Sequence, residues 1–233
     1  MMKRLGILGG MGPAASAEFI NRLIQQTPAS CDQEHIPFVL WNEPRTPDRS
    51  TSMRNKDDKP LPYLVEGVKA LKYLGCDVIV IPCNTAHFWF QELSRLNINI
   101  IHIVDSVASA LREVDVVNDT IGVMGTHATI EFGLYQYMLN KSGWNCIVPT
   151  AEEMDTLVQP AIDLIKSGNI EQANPMLMTV IRNLIGRGAK SVVLGCTELP
   201  LAVKEVNENG IPIINSIDSL VKAVIKSLDK EIR

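Results

Sequence analysis

Two stretches decide the fold: GCDVIVIPCNT, from Gly75 to Thr85, and GAKSVVLGCT, from Gly188 to Thr197. Each begins with a glycine, runs through β-branched residues and ends at a cysteine. Cys83 follows Gly75 at the same distance as Cys196 follows Gly188. A second pair agrees at an offset of 113, INIIHIVDS (Ile98 to Ser106) with IPIINSIDS (Ile211 to Ser219). The starts of the two halves agree at an offset of 116, LGILGG from Leu5 with IGVMGT from Ile121. Apolar strands resemble one another by chance, so one such match means little. Three in the same order at nearly one offset mean an internal repeat.

The apolar runs RLGIL, PFVLW, DVIVIP, INIIHIV, TIGVMG, KSVVLG and IPIINS alternate with helix-like segments. Continuous rather than alternating hydrophobicity suits parallel strands covered on both faces by helices. In PAASAEFINRLIQQT, Pro13 suits a first helical position, and Phe19, Ile20, Leu23 and Ile24 fall on one face. Leu64, Val68 and Leu71 form another stripe, and Gly75 fits a helix C-terminus. The reading is an α/β chain of two similar Rossmann-like domains with parallel sheets, related by pseudo-twofold symmetry, with the active site in the cleft between them. The expected boundaries are residues 1–105 with 210–233 for the first domain, and 106–209 for the second.

With 233 residues, 46% hydrophobic and 21% charged, the chain is an ordinary globular protein of one large or two small domains. A net charge of -4 argues against nucleic acid as a partner. No apolar run approaches the roughly 20 residues that span a bilayer, and the glycine-rich start lacks the apolar core of a signal peptide. A cytoplasmic location is the default. The five cysteines are odd in number and form no CxxC, so free thiols are expected rather than staples.

In open parallel sheets, ligands bind beyond the carboxyl ends of the strands. Cys83 and Cys196 both end a strand and precede a helix-like segment. Two thiols facing one cleft from opposite sides would allow a proton to leave a carbon on one face and arrive on the other. A thiol pKa of about 8.5 lets acid and base forms both be populated, and a helix N-terminus would favour the thiolate. Thr85 and Thr197 could bind a substrate carboxylate or orient a thiol. The bland reading is that both cysteines are buried small hydrophobes; their matched positions favour function. Cys31, Cys76 and Cys146 lack such a context and read as structural.

The segment from Glu43 to Pro62 is the longest without helix or strand periodicity, which suits a lid or binding loop, with disorder as the bland alternative. It carries Arg45, Arg49, Arg54, Lys56 and Lys59, and an arginine fork there would match an acidic substrate. Lys166 reads by itself as a helix C-terminal cation.

The segments LGILGGMGP (Leu5 to Pro13), PDRS (Pro47 to Ser50), PCNTAH (Pro82 to His87) and GCTE (Gly195 to Glu198) resemble the aspartate/glutamate racemase superfamily, specifically its aspartate racemase branch. That resemblance implies two α/β domains, no pyridoxal phosphate or other cofactor, no metal, aspartate as substrate and a homodimer. It gives Cys83 and Cys196 the catalytic roles and Arg49 the substrate side-chain carboxylate, with Lys166 in a similar role. Asn84, Thr85 and Thr197 would line the substrate carboxylate site, with Met11 beside it. Glutamate racemases of the family carry histidine after the second Cys-Thr and open on an Asp-Ser-Gly loop. Here Glu198 and Gly9-Gly10-Met11-Gly12 stand instead, which favours aspartate. Broad-specificity amino-acid racemases share many of these motifs.

Four other readings compete. Gly10 to Ala15 fits a dinucleotide loop with Glu43 as the ribose-binding acid, but it leaves the duplicated cysteines unexplained. Cys83 and His87 stand four apart and could join a metal site completed by Cys196 or Glu198, although His87 reads better as packing. A non-catalytic small-molecule binder fits the two-domain plan without needing paired thiols. A dithiol redox pair would need sulfur–sulfur contact. His35, His102 and His127 have no partner pattern and read as structural.

Overall fold

The computed structural model describes residues 3–229; the ends of the expected first domain, 1–2 and 230–233, lie outside the described residues. The chain divides into two compact units, one of the residues up to Ser106 together with those from Ile217 onward, the other Val107–Ser216.

In the first unit, four parallel strands form a sheet. They are β1 (Leu5–Gly9), β2 (Phe38–Asn42), β3 (Val78–Val80) and β4 (Asn99–Ile100), in the order β2-β1-β3-β4. The second unit holds β5 (Thr120–Met124), β6 (Asn145–Ile147), β7 (Ser191–Leu194), β8 (Asn207–Glu208) and β9 (Ile211–Asn215), in the order β6-β5-β7-β9-β8. With β8 set aside the two orders are the same, so the repeat in the sequence is a repeat of topology. β8 pairs antiparallel with β9 and is the one departure from parallel pairing among the described strands.

The repeat extends to the turns that feed β3 and β7. Helix Leu61–Tyr73 ends with Gly75 N–H donating to the Lys72 carbonyl (3.0 Å) and Cys76 N–H to that of Leu71 (3.1 Å). Helix Ile170–Gly186 ends likewise, Gly188 N–H donating to Ile185 (2.9 Å) and Ala189 N–H to Leu184 (3.1 Å). Both are Schellman turns, and both need a residue at positive φ, +77° at Gly75 and +98° at Gly188. The matched glycines and cysteines therefore bracket one unit of structure: helix stop, buried strand, cysteine loop.

Each unit has its own apolar core. In the first, Leu8, Leu64, Val68, Leu71, Ile79 and Ile81 pack with Met11 and Cys83. In the second, Leu177, Ile181, Leu184, Val192 and Leu194 pack with Cys196.

Several expectations are corrected. Helix Pro13–Gln26 buries Ala15, Ser16, Phe19 and Leu23, whereas Ile20 is half-buried and Ile24 is exposed, so the covered face is rotated away from the expected stripe. β2 is an edge strand with Phe38, Leu40 and Asn42 exposed, so its apolar run is not covered on both faces. INIIHIV is a strand only over Asn99–Ile100, after which the chain enters helix Ile103–Glu113. The segment from Glu43 to Pro62 contains a helix, Arg49–Asn55, capped by Asp48 Oδ1 accepting from the Thr51 N–H (2.7 Å). Under two turns long, it is too short to show a period. β9, which a boundary at 210 would give to the first domain, pairs with β7 in the second sheet.

Replacing Gly75 or Gly188 with alanine forces a Cβ into a left-handed conformation. Each variant is expected to lose about 1–2 kcal/mol of unfolding free energy in urea titration. Asparagine at the same positions should lose less.

Candidate active site

In the first unit the chain leaves β1 through Gly10, whose φ is +93° and whose added Cβ would lie 2.5 Å from the Glu43 backbone. Ser16 fixes this loop. Its hydroxyl accepts the Gly10 N–H (3.0 Å) and donates to the Gly12 carbonyl (3.0 Å). Met11, between them, is buried. Arg49, the first residue of its helix, donates from Nη2 to the Met11 carbonyl (3.1 Å) and from Nη1 to the carbonyls of Thr46 and Pro47 (3.2 Å each). Its buried Nε has no partner among the described residues. Arg49 thus brackets the glycine loop, and one of its N–H groups remains for an acceptor.

Cys83 lies just past β3 and is buried, as are Asn84 and Thr85. His87 holds the Cys83 backbone. The Ile103 N–H donates to His87 Nε2 (3.3 Å), so the ring proton is on Nδ1, which donates to the Cys83 carbonyl (2.9 Å). Burial, reinforced by the neighbouring His102, pushes the His87 pKa down to about 3, so the ring is neutral. Both His87 nitrogens face the backbone, a packing and positioning arrangement. Trp89, in the 3-10 turn Thr85–Trp89, donates its indole N–H to Asp58 (2.8 Å), which ties the segment that follows helix Arg49–Asn55 to the segment after Cys83.

In the second unit the chain leaves β7 through Gly195, whose N–H donates to the Met124 carbonyl (2.7 Å). A Cβ there would lie 2.8 Å from both that carbonyl oxygen and the Tyr135 ring. Only glycine leaves room for this close approach. Cys196 follows, 3% exposed, its thiol donating to Glu198 Oε2 (3.0 Å). The Thr197 hydroxyl lies 3.4 Å from the same oxygen. Burial, the Glu198 charge and the hydrogen bond to it push the Cys196 thiol well up, while Lys166 acts in the opposite direction. Lys166 ends helix Gln159–Lys166, is exposed, and forms no ion pair among the described residues.

These geometries correct the expected electrostatics. Cys83 precedes a five-residue 3-10 turn and Cys196 a four-residue helix, Leu199–Ala202. Neither is a long dipole, and Cys196 is held as a thiol because a carboxylate faces it in a dry site. Glu198, read from the sequence as a marker of substrate preference and a possible metal ligand, is a polar group in contact with the second sulfur. The signal was its place two residues after Cys196. Glu43, weighed as a ribose-binding acid, is instead held by Arg45 through Nε (2.8 Å) and Nη2 (2.7 Å). Cys31 is exposed, Cys146 half-buried and Cys76 buried, all as free thiols. His127, read as unpartnered, places Nε2 3.4 Å from Asp155.

Two parallel α/β units, each ending its cysteine-bearing strand in a buried polar loop, define a class of duplicated enzyme-like folds. The chain belongs to the Asp/Glu/Hydantoin racemase family, matched over residues 8–224. It is 28% identical over 228 residues to the broad specificity amino-acid racemase RacX of Bacillus subtilis, covering 96% of this chain and 97% of that one. The structure of Picrophilus torridus aspartate racemase superposes with a TM-score of 0.83 at 32% identity, covering 97% and 94%. The glutamate racemase of Aquifex aeolicus is 32% identical over 171 residues, 71% of this chain and 63% of that protein. No helix among the described residues is long and apolar enough to cross a membrane.

Because the folded His87 pKa, about 3, lies below the ordinary 6.5, the unfolded chain binds the extra proton between these values. His87 therefore contributes stability that is full above about pH 6.5 and is lost as pH falls toward 3. NMR titration should show no His87 inflection above pH 5 in the folded protein. Replacing Arg49 with lysine abandons the planar fork that holds three carbonyls, and should cost about 1–3 kcal/mol in urea unfolding.

Proposed function

We propose that the protein is a cofactor-independent racemase that interconverts L- and D-aspartate by two-base proton transfer. The observation that carries this reading is the repeat of a buried thiol just beyond the central strand of each unit, on the same topology twice. A binding protein needs no such pair. A racemase does, because inversion at Cα requires proton removal on one face and delivery on the other.

In this reading Cys83 and Cys196 exchange the roles of base and acid according to the enantiomer. Arg49 and Lys166 hold the substrate side-chain carboxylate, Arg49 through the Nε that its own backbone contacts leave over. Asn84, Thr85 and Thr197 hold the α-carboxylate, with Met11 closing the site beside them. These donors also stabilise the charge that develops as the Cα proton leaves. The similarity to RacX supports a second, wider reading, in which glutamate and other amino acids are also turned over.

Chiral chromatography of pyridoxal-phosphate-free, metal-free protein incubated with single enantiomers tests both readings. Aspartate is expected to racemise fastest, and comparable rates for glutamate or uncharged amino acids would establish the wider specificity. Alanine at either Cys83 or Cys196 should abolish interconversion while leaving the thermal transition near that of the parent. Full activity in either variant overturns the two-thiol mechanism.

A further inference from the structure

A thiol held protonated is a ready acid but a poor base. Under the two-thiol reading, on which this inference rests, Cys196 must act as base for one enantiomer, and its proton must then go somewhere. Among the described residues, Lys166, Tyr135 and Glu198 are ionisable groups that act on its sulfur. Lys166, from helix Gln159–Lys166, is a cation and accepts nothing. Tyr135, from helix Leu134–Lys141, is fully buried with its hydroxyl bonded to Ser216, and burial pushes its ionisation far up, so it stays a phenol. Glu198 is a buried carboxylate whose Oε2 already accepts the thiol hydrogen at 3.0 Å, with the Thr197 hydroxyl against the same oxygen.

We propose that Glu198 is a third acid–base group of the reaction, which takes the Cys196 proton when Cys196 serves as base. The step balances as follows. The Cys196 S–H bond breaks and a Glu198 O–H bond forms, leaving a thiolate beside a carboxylic acid. The thiolate takes the substrate Cα proton and becomes a thiol again. Cys83, entering as a thiol, gives its proton to the opposite face of Cα and leaves as a thiolate. The product complex, with Cys83 as thiolate and Glu198 protonated, is the form that turns over the other enantiomer by the reverse sequence. Loss of the Glu198 proton to water and protonation of Cys83 from water reset the first form.

The test is Glu198→Gln, which keeps the shape and takes no proton. Racemisation is expected to fall by about 100-fold or more, equally from L- and D-aspartate because the two enantiomers are equal in energy. Iodoacetamide labelling of Cys196, followed by peptide mass spectrometry from pH 7 to pH 10, should move to lower pH, because the charge that opposed the thiolate is gone. A thermal transition near that of the parent excludes unfolding, which would also free Cys196 from burial and lower its pKa. Glu198→Asp, with its carboxylate drawn back, should recover at least tenfold over the glutamine variant, and it carries the test if that variant does not fold. Unchanged racemisation in Glu198→Gln, an unmoved Cys196 labelling profile, or equal loss in both variants overturns the role of Glu198. Full activity in Cys196→Ala would instead sink the two-thiol reading beneath it.

Discussion

A strand placed between two parallel neighbours has both faces and both edges covered, and whatever follows it must emerge at the carboxyl end of the sheet. β3 lies between β1 and β4, and β7 between β5 and β9. The residues just beyond them, Cys83 and Cys196, are therefore forced into dry, backbone-lined loops rather than onto a surface. Everything specific about the two sites follows from that placement. A loop so buried must satisfy its own polar groups, and it does so with His87 on the Cys83 carbonyl and the Gly195 N–H on Met124.

The two loops solve the same problem differently. The Cys83 carbonyl is held by a low-pKa imidazole, and the glycine loop of the same unit by an arginine bonded to three carbonyls. Around Cys196 the support is a carboxylate in contact with sulfur and a lysine whose charge opposes it. A duplicated scaffold has thus come to support its two cysteine loops with different groups.

Much of this was legible in the sequence because it rests on repeats and on apolar runs. Each of the seven runs overlaps a strand, and the glycine-to-cysteine spacing reports a Schellman turn, a buried strand and a loop of fixed length. β6 and β8 are not legible because three residues (NCI) and two (NE) are too few to carry a pattern. Helix Arg49–Asn55 stayed hidden for lack of length, and the covered face of Pro13–Gln26 was misjudged because the apolar stripe alone does not show which turns meet the sheet. The role of Arg49 toward the glycine loop depends on a tertiary contact, its 3.1 Å bond to the Met11 carbonyl, which residue type and order do not encode. Glu198, two residues from Cys196, lies within a local reading, but residue order alone does not turn its carboxylate toward the sulfur.

The central claim is that inversion at Cα passes through two separate proton carriers. Single turnovers of L-aspartate in D2O, followed by mass spectrometry of each separated enantiomer at early times, test it most directly. The account predicts deuterium at Cα of essentially every D-aspartate formed, while the remaining L-aspartate stays protiated. D-aspartate that retains its original hydrogen, or deuterium entering both pools together, would mean a single base working on both faces and would contradict it.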